Sequence, residues 1–123
     1  SRYTTFDLSD ALIAGNLAQS ARIFQFLISA GEPASLVLWT ISKEMRLLMQ
    51  LFEQPQNALQ LGIWKTKISN YQQALRRLNP QAFLQWPQLL LRIDAAIKGM
   101  SKENSEHLIL QSITELCGKT LFR

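Results

Sequence analysis

Apolar residues recur at steps of three and four along nearly the whole chain, and no stretch shows the alternation of a half-buried strand. The pattern predicts helices. Thr4-Thr5-Phe6-Asp7 has the form of a helix start, a threonine cap with an acid in the first turn. Leu8, Leu12 and Ile13 supply an apolar face, and Gly15 ends this short helix. Asn16 caps the next one, with Gln19 three residues on in a capping-box arrangement. Its stripe is Leu17, Ala21, Phe24 and Ile28, and Gly31 stops it. Pro33 suits the first turn of a third helix, where a missing N–H costs nothing. That helix runs to Glu53 on Ala34, Leu38, Ile41, Met45, Leu48 and Phe52, and Val37, Met49 and Leu51 widen its face. A helix this broadly apolar has neighbours on more than one side.

Gln54-Pro55-Gln56-Asn57 breaks the pattern, and a short helical turn is expected from Ala58 to Leu61, before Gly62. A fourth helix puts Trp64, Ile68, Tyr71, Leu75 and Leu78 on one face, with Lys65, Lys67, Arg76 and Arg77 elsewhere. Asn79-Pro80 opens a fifth, carrying Phe83, Trp86, Leu90, Ile93 and Ile97 and a second stripe of Leu84, Leu91 and Ala95. Pro87 inside this pattern predicts a kink or two abutting helices. Gly99 closes it. The last helix is expected from Lys102 to Leu121, capped by Ser101, with Ile109, Ile113, Leu116 and Cys117 turned inward. The fold class is all-α, a single-domain bundle of about five or six helices.

Length and composition agree with this picture. The 123 residues suit one domain, and 47% hydrophobic residues support a core without metal or disulfides. The lone Cys117 excludes an internal disulfide and suits a reducing compartment. No apolar run approaches the roughly 20 residues that span a bilayer, and no membrane partner is expected. The first residue is serine, not an initiating methionine, which suggests a fragment, or a tagged or processed chain.

Candidate chemistry is sparse. His107 has no second histidine or cysteine near it, so a zinc site lacks ligands, and it reads as a solvent-facing residue. Cys117 lies on an inward stripe and reads as a small core residue. No glycine-rich loop precedes a Lys-Ser/Thr pair, and the few carboxylates sit at helix starts or in ion-pair spacing, as Glu44 does beside Lys43. No catalytic, cofactor-binding or metal-binding residue is expected, and the chain reads as a non-enzyme.

Two aromatics break the amphipathic rule. Phe26 falls opposite the Phe24 and Ile28 stripe, beside Gln19 and Arg22, and Trp39 falls on the polar side of its helix near Lys43 and Arg46. Aromatics with basic neighbours on a polar face mark a partner surface, unless another helix of the domain covers them. The formal charge of +4 and the residues Lys65, Lys67, Arg76, Arg77, Lys98 and Lys102 allow phosphate contact, although a solvated face explains them as well.

The order Phe6-x-Leu8-x-Asp10-Ala11-Leu12, Gly15-Asn16, Ala21-x-x-Phe24-x-x-Leu27, Gly31-Glu32-Pro33, Leu36-x-Leu38 and Ile41-x-Lys43-Glu44-x-Arg46-x-Leu48 resembles the carboxy-terminal domain of the delta subunit of bacterial DNA polymerase III. Leu61-Gly62-Ile63 and Asp94-Ala95-Ala96-Ile97-Lys98-Gly99 extend the resemblance over nearly the whole chain. The resemblance implies one helical collar domain over residues 1–123, part of the sliding-clamp loader, in a cytoplasmic replisome. It implies gamma/tau and delta-prime subunits as partners, with the clamp gripped by upstream modules that this chain lacks. A ring member needs two different lateral surfaces. Phe26, Trp39, Lys43 and Arg46 are candidates for one, Leu121 and Phe122 for another. In the family the loop before the last helix can lie near primer–template DNA, which makes Lys98, Met100 and Lys102 candidate contacts. The alternatives are an autonomous helical nucleic-acid-binding module, or a helical adaptor for a short peptide.

Overall fold

A computed structural model describes residues 2–119. It is all-α, with no strand among the described residues. Six α-helices follow one another: α1 (Thr5–Ala14), α2 (Leu17–Ser29), α3 (Ala34–Glu53), α4 (Ile68–Arg77), α5 (Trp86–Ile97) and α6 (Ser105–Leu116). Helix α1 packs against α2, α3, α4 and α6, while α5 joins α3 to α6. Leu8, Leu12, Phe24, Ile41, Met45, Trp86, Ile93, Ile109 and Ile113 fill the single core between them.

The starts of α1 and α2 follow the local signals. Thr4 and Asp7 form a reciprocal capping box, the Thr4 N–H donating to Asp7 Oδ2 at 2.7 Å. The Gln19 N–H donates to Asn16 Oδ1 at 3.0 Å. Pro33 stands one position earlier than expected, as the extended residue before α3. The buried line of α2 is Ser20, Ile23, Phe24 and Leu27, so the expected stripe is rotated and Leu17, Ala21 and Ile28 lie at its margin. The cause is a second neighbour. Helix α2 meets α6 as well as α1, and the small Ser20 lets Cys117 approach to 3.7 Å. Burial raises the Cys117 thiol above its ordinary range, which keeps it a neutral core group.

Three 3₁₀ turns shift the remaining boundaries. The first is Pro55–Asn57, ahead of the expected Ala58–Leu61 turn, and the chain then closes through an Ile63 N–H bond to the Ala58 carbonyl at 3.1 Å. The second is Lys65–Lys67, so α4 begins only at Ile68. Trp64 precedes it in extended backbone and is 73% exposed, not on the buried face expected from its spacing to Ile68. The third is Pro80–Gln85, which abuts α5 and leaves Pro87 in the first turn of that helix, where proline fits. Phe52 rests edge-on to Phe83 at 5.5 Å and remains half-exposed.

Helix α6 is shorter at both ends than the expected 102–121 span. Ser101 does not cap it. Its hydroxyl accepts the Glu103 N–H at 3.3 Å, and Arg92 holds the Glu103 carboxylate in a two-pronged pair, Nη2 to Oε2 at 2.5 Å. Asn104 is the cap, accepting the His107 N–H at 3.0 Å. Asn104→Ala should therefore cost about 1 kcal/mol in denaturant-induced unfolding, and Ser101→Ala much less. At the other end Gly118 takes φ +82°, and the Lys119 N–H reaches back to the Thr114 carbonyl at 3.0 Å. Leu121 and Phe122 lie outside the described residues.

Arg77 corrects the reading of the basic residues. It faces inward between two helix ends. Its Nε donates to the Cys117 carbonyl at 2.9 Å, and its Nη2 donates to the Ile13 and Leu12 carbonyls at 3.0 and 3.4 Å. The last carbonyls of a helix have no intrahelical partner and carry the negative end of its dipole, so a guanidinium satisfies α1 and α6 together. Both ends are finished by left-handed glycines, and space demands it. A Cβ on Gly15 would lie 2.5 Å from Arg77 Cζ, and one on Gly118 would lie 2.8 Å from its Cγ.

Candidate subunit interface

Helix α3 places Trp39, Lys43 and Arg46 one above the other, at steps of four and three. Trp39 is 58% exposed, and the Lys43 ammonium lies 5.4 Å from the centre of its ring. Lys43 Nζ also stands 3.4 Å from Glu44 Oε2. Glu44 itself turns inward. It is buried, and it accepts the hydroxyl of Tyr71 from α4. Burial, reinforced by this bond and by the charge of Glu44, pushes the Tyr71 phenol far above its usual range, so it stays a neutral donor.

Beside this line lies a cavity of ≈ 530 Å³ between α1, α3 and the segment 61–67. Phe6, Leu47, Leu61, Ile63 and Trp64 give it apolar walls, and Lys43, Glu44 and Arg46 edge it. Phe6 and Trp64 are each 73% exposed. Lys67 stands 5.7 Å from the centre of the Trp64 ring and pairs with Asp10 at 2.7 Å. Arg46 makes no hydrogen bond or ion pair among the described residues. Ser9 is among the residues that line the cavity, and its buried hydroxyl has no hydrogen-bond partner among the described residues.

A different set of residues is exposed around α5. Leu84, Leu91 and Met100 stand out into solvent. A smaller cleft of ≈ 290 Å³, bordered by Leu84, Trp86, Arg92, Gln111 and Glu115, runs between α5 and α6. The two regions share no lining residue.

The candidate residues divide between these places. Trp39, Lys43 and Arg46 come together as expected from the helical wheel. Phe26 sits apart from them, half-buried and edge-on to Tyr3 at 5.4 Å between centroids, with Gln19 and Arg22 bonded to each other nearby. In the loop after α5, Lys98 pairs with Asp94 at 2.9 Å, and Met100 and Lys102 are exposed. His107 is exposed on α6, and only its backbone serves the cap.

The family model for the DNA polymerase III delta subunit, C-terminal domain, matches residues 3–113. The chain belongs to this family. No curated protein matches it. The matched span of the delta-subunit domain takes in the whole aromatic and basic region of α1, α3 and α4. Sequence reasoning did not place Phe6, Trp64 or Leu84 on the outside of this domain. For Trp64 and Leu84 the cause is a 3₁₀ turn. Trp64 stands just before one and Leu84 within one, and a side chain there leaves the line that α-helical spacing would assign it.

Proposed function

We propose that the domain is the assembly part of the delta subunit. It holds that subunit in the collar of the clamp loader, between gamma/tau and delta-prime, so that the complex can load the sliding clamp during DNA replication in the bacterial cytoplasm. Its role is scaffolding, not catalysis, and the clamp itself is reached through modules upstream of residues 1–123. The observation that carries this reading is the exposure of Trp39, Phe6 and Trp64 around Lys43 and Arg46. Exposed aromatics bordered by cations are the anchors that protein interfaces use. The separate Leu84, Leu91 and Met100 region supports a second, different lateral contact, as a heterologous ring requires.

The DNA-binding alternative loses support from the ion pairs. Lys67 and Lys98 are engaged with carboxylates, and Arg77 is committed to helix ends.

The test is reconstitution. Full delta subunit carrying Trp39→Asp is mixed with gamma and delta-prime and analysed by native mass spectrometry. Burying an aspartate in place of an anchor should weaken incorporation by about tenfold or more. Undiminished incorporation, with Leu91→Asp equally silent, overturns the reading.

A further inference from the structure

We propose that the groove between α1, α3 and residues 61–67 receives a short peptide segment of a partner chain, one that presents a carboxylate next to a large apolar side chain. The proposal deepens the assembly reading, since it names the chemistry of what docks there. Three observations lead to it. The walls Leu47, Leu61, Ile63 and Trp64 suit an apolar side chain, and the volume of ≈ 530 Å³ falls within the range of ligand-sized pockets. The charges at the rim are unequal. Lys43 is matched by Glu44 and Lys67 by Asp10, so among the residues that line the groove Arg46 is the cation without an ion pair. A guanidinium takes a carboxylate in two parallel hydrogen bonds. Finally, Ser9 brings to the same groove a buried hydroxyl that lacks a partner. A hydroxyl in that position is satisfied by a backbone carbonyl or N–H, which a peptide supplies at every residue.

The three tryptophans make the test specific. Trp64 lines the groove, whereas Trp39 and Trp86 do not, so one indole N–H resonance reports the site. The chain, labelled with nitrogen-15, is titrated with N-acetyl-leucyl-aspartate amide, and separately with the asparagine counterpart. The expected result is a shift of the Trp64 indole signal, saturating in about the millimolar range, with the aspartate probe bound about tenfold more tightly. Arg46→Ala should abolish that preference while leaving the weaker asparagine binding in place. Equal affinity for the two probes overturns the proposal, and so does a Trp64 signal that neither probe moves. Reconstitution separates this failure from the broader one. Loss of incorporation by Trp39→Asp, together with a groove that takes neither probe, keeps the assembly role and rejects the peptide.

Discussion

Arg77→Ala is expected to destabilise the delta-subunit domain by about 2–4 kcal/mol, the largest effect of any single polar side chain in it. The substitution removes a charged donor from three carbonyls, those of Leu12, Ile13 and Cys117, at the junction of α1, α4 and α6. Those carbonyls end two helices, so their local replacement partners are few. Arg77→Lys should recover only part of the loss. An ammonium is a single point on a flexible stem and cannot reach both helix ends with a planar fork. Guanidinium-induced unfolding of the three proteins measures the order: wild type most stable, lysine intermediate, alanine least. A lysine variant as stable as wild type would show that charge alone matters and that the fork does not.

The same junction predicts a coupling. Gly15→Ala introduces a methyl group 2.5 Å from Arg77 Cζ at a residue with φ +74°, so it suffers both backbone strain and collision. The strain of about 1–2 kcal/mol persists whatever stands at position 77. The collision does not. Gly15→Ala should therefore cost less in the Arg77→Ala background than in wild type, a non-additivity expected of groups in direct contact.

How much of this was readable from the chain depends on range. Helix order, the glycine stops at Gly15, Gly31 and Gly99 and the caps at Thr4 and Asn16 are local events, and each is written within a few residues, whereas the stop at Gly118 falls inside the expected 102–121 helix. The inward line of α6 could also be read, because Ile109, Ile113, Leu116 and Cys117 all belong to one unbroken helix and its final turn. At the start of α6 two cap residues, Ser101 and Asn104, stand three positions apart, and Asn104 takes the place through a bond to the His107 N–H as local as that of Asn16 to Gln19. Contacts distant in the chain could not be read. Arg77 reaches residues 40 and more positions away in the chain. A basic residue at the end of a helix looks the same in sequence whether it faces solvent or two other helix ends.

The candidate interface divides in the same way. Trp39, Lys43 and Arg46 share one helix, so the wheel groups them. Phe6 and Trp64 join them only because α1 and the segment 61–67 fold against α3. Glu44 was legible only in part. Lys43 does pair with it at 3.4 Å, as their adjacency suggests, but Glu44 is buried and also takes the hydroxyl of Tyr71, which lies 27 positions away in the chain.

The burial of Glu44 carries the second large effect. Tyr71→Phe should destabilise the domain by about 2 kcal/mol, because it strips a buried carboxylate of its hydroxyl donor. Glu44→Leu in the Tyr71→Phe background should restore part of the loss, since no buried carboxylate then lacks a donor and the partly exposed Lys43 is left to water. The pH dependence gives an independent check. The folded protein holds the Tyr71 phenol well above its ordinary value, first through burial and then through Glu44. The contribution is thus fully present below the unfolded tyrosine value of about 10 and is lost as pH rises beyond it. Wild-type stability should fall more steeply than that of Tyr71→Phe above pH about 10, and the two unfolding curves should converge there. A constant difference between them from neutral to strongly alkaline pH would mean that the Tyr71 hydroxyl ionises as readily in the fold as in the unfolded chain, and that its bond to Glu44 contributes little.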